Sequence, residues 1–230
     1  MFTEVETGNR IKIITGHFGS GKTEFAINYA LYLRRYFDKV AAVDLDIINT
    51  YFRLREKMDF LSEHGVESFS SSMREKNALD IPAVDAAILK PLENKNYRAV
   101  LDVGGNPKGS LSLGRYRDIL KREGYDHYFV INRNRPETKD FQSVRDFIGQ
   151  VEGHSQTKVT GIINTTHFLK ETTADDLLYG DELAREVSEK LNLPYVYAVC
   201  LRSIEKEVRA LNLAAEVFPI DLYFREDWML

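Results

Sequence analysis

Eight consecutive residues, Gly16-His17-Phe18-Gly19-Ser20-Gly21-Lys22-Thr23, match the spacing G-x-x-x-x-G-K-[ST]. Each residue type has a task if the ligand is a chain of phosphates. The glycines let successive backbone N–H groups point into one concavity, and a helix beginning beside Lys22 directs its positive end at the same place. Lys22 is placed to reach the β and γ phosphates, and Thr23 offers a hydroxyl to Mg²⁺. A glycine-rich turn without a ligand is the bland alternative. An apolar run before the motif and an amphipathic stretch after it favour the phosphate.

Two acidic stretches complete a possible hydrolysis centre. Asp44-Leu45-Asp46-Ile47-Ile48-Asn49-Thr50 follows one apolar run, and Asp102-Val103-Gly104-Gly105 follows another. Phosphoryl transfer to water needs hard oxygen ligands for Mg²⁺ and a carboxylate that orients the water. Asp102, at a strand end, reads as the carboxylate on the metal, and Gly105 is placed to offer its N–H to the γ phosphate. Asp44 and Asp46 alternate along extended chain, so only one points directly at the metal. We assign Asp46 to the water and Asp44 to the outer shell of the metal. Each could instead cap its own turn, as Asp after a strand commonly does.

The elements that must position these groups are legible as alternating runs. Strands are expected at Ile11 to Thr15, Val40 to Val43, Ala99 to Val103, Tyr128 to Ile131, Val159 to Ile163 and Tyr195 to Val199. Their unalternating apolar character suits strands covered on both faces. Helices are expected at Thr23 to Tyr36, Leu111 to Arg122, Pro136 to Gly149, Thr173 to Leu191 and Ile204 to Leu213. This alternation predicts an α/β fold, a doubly wound, mostly parallel sheet flanked by helices, with ligands at the carboxyl ends of the strands. The stretch from Glu56 to Asn96 is the least legible, with Ser70, Ser71 and Ser72 read as loop and Ala83 to Leu89 as a short helix. Without a repeat or linker, residues 1–230 are expected to form a single nucleotide-binding domain.

Composition removes other classes. The 230 residues carry 31 basic and 35 acidic side chains, a formal charge of -4, which argues against a nucleic-acid or anionic-membrane partner. No run reaches the ~18 to 20 apolar residues that cross a bilayer. Met1 to Arg10 contains no apolar leader, and the single cysteine, Cys200, closes no internal disulfide, so a cytoplasmic protein is expected. His64, His127, His154 and His167 lack metal-ligand spacing, and no zinc is expected. Arg115, Arg117, Lys121 and Arg122 make a basic helix face, either solvated or a partner surface. Phe218 to Leu230, with Tyr223, Phe224, Trp228 and Met229, reads first as core cover.

Gly16 to Thr23, Asp44-Leu45-Asp46-Ile47, Asp102 to Gly105, Asn132 to Thr138 and Asn164 together resemble the ParA/MinD branch of P-loop ATPases. That branch includes the nitrogenase iron protein and dethiobiotin synthetase. The resemblance implies ATP and Mg²⁺ as cofactors, Asp46 and Asp44 holding water and metal, and Asn164 contacting adenine. It also implies a nucleotide-dependent homodimer and a protein partner. Asn164 could equally bond its own turn. His17 stands where family members carry a second lysine that reaches across the dimer, so slow intrinsic turnover is expected. Arg53, Arg55, Arg133 and Arg135 could replace that charge, though each alone reads first as a solvated surface arginine. Asn164-Thr165-Thr166-His167 stands in place of an Asn-Lys-x-Asp signature, which favours ATP over GTP. One cysteine argues against an iron-sulfur cluster like that of the iron protein, whose subunits each supply two. The leading expectation is an ATPase or nucleotide-dependent switch acting on a partner protein. The alternative is an ATP-dependent small-molecule enzyme of the dethiobiotin synthetase or cobyrinate amidase-ligase type. A DNA-partition ATPase fits the acidic composition less well.

Overall fold

The structure is a computed structural model and describes Val5 and residues 7–46, 54–70 and 81–224, without the side chains of 81–86. Ile47, Ile48, Asn49, Thr50, Arg53, Ser71, Ser72, Trp228 and Met229, named above, lie outside the described residues.

Eight strands form one sheet in the order β3-β2-β4-β1-β5-β6-β7-β8. They are β1 Ile11–Gly16, β2 Val40–Asp44, β3 Val66–Ser70, β4 Arg98–Asp102, β5 Asp126–Ile131, β6 Gly161–Asn164, β7 Tyr195–Leu201 and β8 Glu216–Ile220. Every neighbouring pair runs parallel. The helices are α1 Lys22–Arg34, α2 Met58–Glu63, α3 Ile81–Glu93, α4 Leu111–Gly114, α5 Arg117–Glu123, α6 Phe141–Ser155, α7 Ala174–Leu191 and α8 Glu205–Arg209.

Strand residues divide between two faces with period two. Ile14, Val100 and Val130 join the cluster under α1, whereas Ile13, Leu101 and Val43 pack on the opposite face with Ile88, Leu92 and Leu120. Phe129, Ile131 and Ile162 continue that second face beneath α6 and α7. Helix α1 buries Phe25, Ile27, Tyr29 and Leu33, each worth roughly 1.5–3 kcal/mol before chain entropy is counted. That burial holds the start of α1, and the glycine loop before it, against the end of β1. Register does the rest, placing Asp44 directly opposite Asp102 on the adjacent strand.

Several expectations change in detail. The expected helix Leu111 to Arg122 is two pieces, α4 and α5. Pro136 opens a short 3-10 turn, and α6 begins only at Phe141, where the Asp140 carboxylate accepts from Ser143 N at 2.8 Å. The expected Ile204 to Leu213 helix shortens to Glu205–Arg209, and Glu56 to Asn96 contains α2, β3 and α3. Strands β3 and β8, absent from the expectation, are the two edges of the sheet.

Candidate functional site

The glycine loop spans the gap between the end of β1 and the start of α1. Gly21 sits at φ 89° immediately before α1, and no side chain caps that helix. A left-handed residue there is inexpensive only for glycine, and the uncapped first turn leaves N–H groups directed at the loop. Within the loop, Ser20 N donates to His17 O at 3.1 Å. Neighbouring loops brace it. Arg135 donates from Nε to Gly19 O at 3.1 Å, and the Thr165 hydroxyl donates to Ser20 O and, at 3.2 Å, to Ile131 O. On the other side Gly105 lies so close that a Cβ there would come within 2.8 Å of the Phe18 backbone. The segment after β4 thus touches the glycine loop directly.

Lys22, Thr23, Asp44, Asp46 and Asp102 converge beneath that loop. Asp44, Asp46 and Asp102 are buried, as is Lys22. Burial pushes the Asp102 carboxyl up to about 7; the Lys22 charge and the Thr23 hydrogen bond pull it down, while Asp44 and Asp46 push it up. Asp44 accepts from Asp46 N at 2.9 Å through Oδ1 and from Arg55 Nε at 2.7 Å through Oδ2. Its Oδ2 is therefore taken by Arg55. Asp46 Oδ1 lies beside Gly104, next to the segment that carries Gly105.

Two buried oxygens of this cluster have no hydrogen-bond partner among the described residues, Asp102 Oδ1 and Ser20 Oγ. A carboxylate oxygen left open next to the Thr23 hydroxyl is a hard-donor set that fits Mg²⁺. Among the described residues no group of three or more His, Cys, Asp or Glu side chains is placed to hold a metal ion. Mg²⁺ in a phosphate site needs no such cage, since one or two protein oxygens are completed by phosphates and waters.

A cavity of about 230 Å³ opens beside the loop, lined by Gly19, Gly21, Lys22 and Thr23 at one end. Thr165, His167, Leu169 and Cys200 line its continuation. Cys200 is 2% exposed, and burial pushes its thiol up to about 11, so it acts as a small apolar wall residue.

Two expectations are corrected here. Asn164 is fully buried and is not part of the cavity wall; its Oδ1 accepts from Thr166 N at 2.9 Å and Thr166 Oγ1 at 2.7 Å, and its Nδ2 donates to Leu177 O at 3.2 Å. With its amide spent on the turn and on α7, Asn164 shapes the loop and leaves the wall to Thr165 and His167. The described arginines are not merely solvated either. Arg55 binds Asp44, Arg133 binds Glu182 at 2.9 Å and stacks on Tyr179, and Arg135 lies on the glycine loop. His17 turns onto its own chain, edge-on to Phe147 with centroids 5.7 Å apart and Nδ1 3.4 Å from Glu137. The contributions of Arg135 and Thr165 depend on contacts that no local spacing announces.

No family model matches the chain, and no curated protein does. Solved structures do match. FtsY from Mycoplasma mycoides aligns with a TM-score of 0.53 and 20% identity, over 84% of this chain and 61% of its own. FtsY from Thermotoga maritima gives 0.52 and 18%, over 80% and 59%. The 54 kDa signal recognition particle protein from Aeropyrum pernix K1, in complex with GDP, gives 0.51 and 20%, over 80% and 40%. This chain spans about three fifths of the FtsY chains it matches. What it shares with them is the doubly wound α/β fold of the P-loop NTPases.

Proposed function

We propose that the chain is a Mg²⁺-dependent P-loop nucleoside triphosphatase that uses ATP and acts as a switch on a protein partner. The observation that carries this reading is the convergence of Lys22, Thr23, Asp46 and Asp102 under an uncapped helix start, with Asp102 Oδ1 left open. In this reading Thr23 and Asp102 hold Mg²⁺, with Asp44 behind them. Mg²⁺ held there would supply positive charge against the phosphate charge that develops in the reaction. Lys22 and the N–H groups of the glycine loop bind the phosphates, and Asp46 orients the attacking water. Gly105 offers its N–H to the γ phosphate, so its contact with Phe18 would shift between nucleotide states. That shift is what a partner would read.

ATP is favoured because guanine selection relies on a carboxylate that accepts from the base. Glu24 is the one carboxylate among the described cavity residues, and it accepts backbone N–H groups of Tyr223 and Phe224. The GDP in the Aeropyrum protein makes GTP the competitor to measure. Turnover is expected to be slow, because His17 faces Phe147 and Glu137, and Arg55 is held by Asp44. Apart from Lys22, Arg135, on Gly19 O and in the cavity wall, is the cation to consider at the bound phosphates within one chain. A nucleotide-dependent homodimer would have to supply its cross-subunit charge from elsewhere.

The test is titration calorimetry of ATP and GTP with Mg²⁺, combined with hydrolysis and light scattering. Lys22→Ala should weaken ATP binding about 100-fold, or ~2.8 kcal/mol. Asp46→Asn should retain binding and lose turnover by roughly 100-fold or more. Unchanged ATP affinity in Lys22→Ala would overturn the reading.

A further inference from the structure

One wall of the cavity beside the glycine loop has no part in the phosphate chemistry. Ile220, Leu222 and Phe224 line it, in the same cavity as Thr165, His167 and Leu169. The segment Asp221–Phe224 is fastened to α1 although Asn28 and Asp221 stand 193 positions apart. Asn28 donates from Nδ2 to Asp221 O at 2.8 Å and accepts from Asp221 N at 2.9 Å. The Glu24 carboxylate accepts from Tyr223 N at 3.0 and 3.1 Å and from Phe224 N at 3.0 Å. Glu24 immediately follows Thr23, so the fastening point adjoins the phosphate end of the cavity. Beyond α1, the Tyr223 ring packs on Phe60 with centroids 4.8 Å apart, and Lys57 Nζ lies 5.7 Å from the Phe224 ring centre. The wall is apolar, continuous with the phosphate end, and held in place by charge-assisted bonds to backbone rather than by side-chain packing alone. A slot of that character, beginning where a triphosphate ends, takes a flat heteroaromatic ring.

We infer that Asp221–Phe224 is the base-side wall of the nucleotide pocket. Glu24 is the positioning residue that holds it there, setting affinity for the purine without altering the grip on the phosphates. This rests on the nucleotide reading of the site. It explains why a carboxylate stands beside a phosphate loop, where a free negative charge would repel the ligand: Glu24 is occupied by two amides.

The experiment compares binding of ATP and of inorganic tripolyphosphate, each with Mg²⁺, to wild type, Glu24→Ala, Glu24→Gln and Phe224→Ala by calorimetry. Wild type should bind both, ATP more tightly. Glu24→Ala and Phe224→Ala should each weaken ATP about 10-fold and leave tripolyphosphate within about 2-fold. Glu24→Gln, which keeps an acceptor oxygen, should recover most of the ATP affinity. Equal loss of both ligands in Glu24→Ala would place its effect on the phosphate loop and overturn the inference, as would no loss of either. Wild type that binds tripolyphosphate as tightly as ATP would also overturn it while leaving the phosphate site standing. Wild type that binds neither ligand would bring down the nucleotide reading itself.

Discussion

Two buried polar clusters lie in this sheet, and they differ in whether they are complete. Around His127 every ring nitrogen has a partner: Nε2 meets Thr15 Oγ1 at 2.8 Å and Nδ1 meets Thr157 Oγ1 at 3.1 Å. Ser155 Oγ then joins Thr157 Oγ1 at 2.8 Å. Burial holds the imidazole neutral, pushed down to about 3. Around Asp102 the cluster contains three carboxylates and Lys22, yet Asp102 Oδ1 and Ser20 Oγ find no partner among the described residues. A closed hydroxyl network stabilises a fold and asks for nothing more; an open, charged one costs stability until a ligand completes it. The difference separates a closed polar cluster from an open one, although both are buried.

The largest effect to separate the clusters is their opposite response to acid. An imidazole in the unfolded chain titrates near 6.5 and a carboxyl near 3.9. His127 is pushed down, so the unfolded chain takes up its proton first, and stability is lost as pH falls from 6.5 toward 3, by up to about 5 kcal/mol. Asp102 is pushed up to about 7, so the folded chain takes up its proton first, and stability rises as pH falls from 7 toward 4, by about 4 kcal/mol. Urea titrations in EDTA should therefore show a nearly flat wild type from pH 7 to 4. Asp102→Asn should stabilise the protein at pH 8 and make it steeply acid-labile, and His127→Gln should reverse the slope. Parallel slopes for the two variants would remove the distinction.

Ligand binding gives the next largest effect. ATP and Mg²⁺ at about 100 times the dissociation constant should raise stability by about 2.7 kcal/mol, seen as a shift in thermal melting that Lys22→Ala cuts to about 0.4 kcal/mol at the same ligand concentration. Hydroxyl removal sharpens the contrast further. Thr157→Val strands His127 Nδ1 and should cost about 2 kcal/mol. Ser20→Ala removes an oxygen that has nothing to lose and should fall within about 0.5 kcal/mol in the nucleotide-free protein. A Ser20→Ala loss as large as that of Thr157→Val would mean that Ser20 already has its partner.

How much of this was readable in advance follows the same division between local and distant causes. Strands β1, β2, β4, β5, β6 and β7 were legible because each lies inside the sheet and reads as an apolar run without alternation. The edges were not. Val66-Glu67-Ser68-Phe69-Ser70 is only half covered and half polar, and Glu216-Val217-Phe218-Pro219-Ile220 contains a proline that strand reading penalises, although an edge tolerates it. That Lys22, Thr23, Asp44, Asp46 and Asp102 come together was legible because each lies at or just past the end of its own strand or in the glycine motif. The bracing of Gly19 by Arg135 spans 116 positions and that of Ser20 by Thr165 spans 145, so no window of sequence contains either. Asn164 misled for a related reason: a polar residue at a strand end is as ready to bond its own turn as a ligand, and here Thr166 claimed it.

The 193 positions between Asn28 and Asp221 also bear on how the molecule comes into being. Closing a loop of that length costs roughly 5 kcal/mol of chain entropy, and contacts so distant in sequence form late in folding. A nascent chain synthesised as far as β7 already contains the glycine loop, Lys22 and all three carboxylates but has no wall at Ile220 to Phe224. If folding proceeds from the amino end, as domains generally do during synthesis, the growing protein would, on the function proposed above, acquire its grip on polyphosphate before it acquired the wall against which a base would rest.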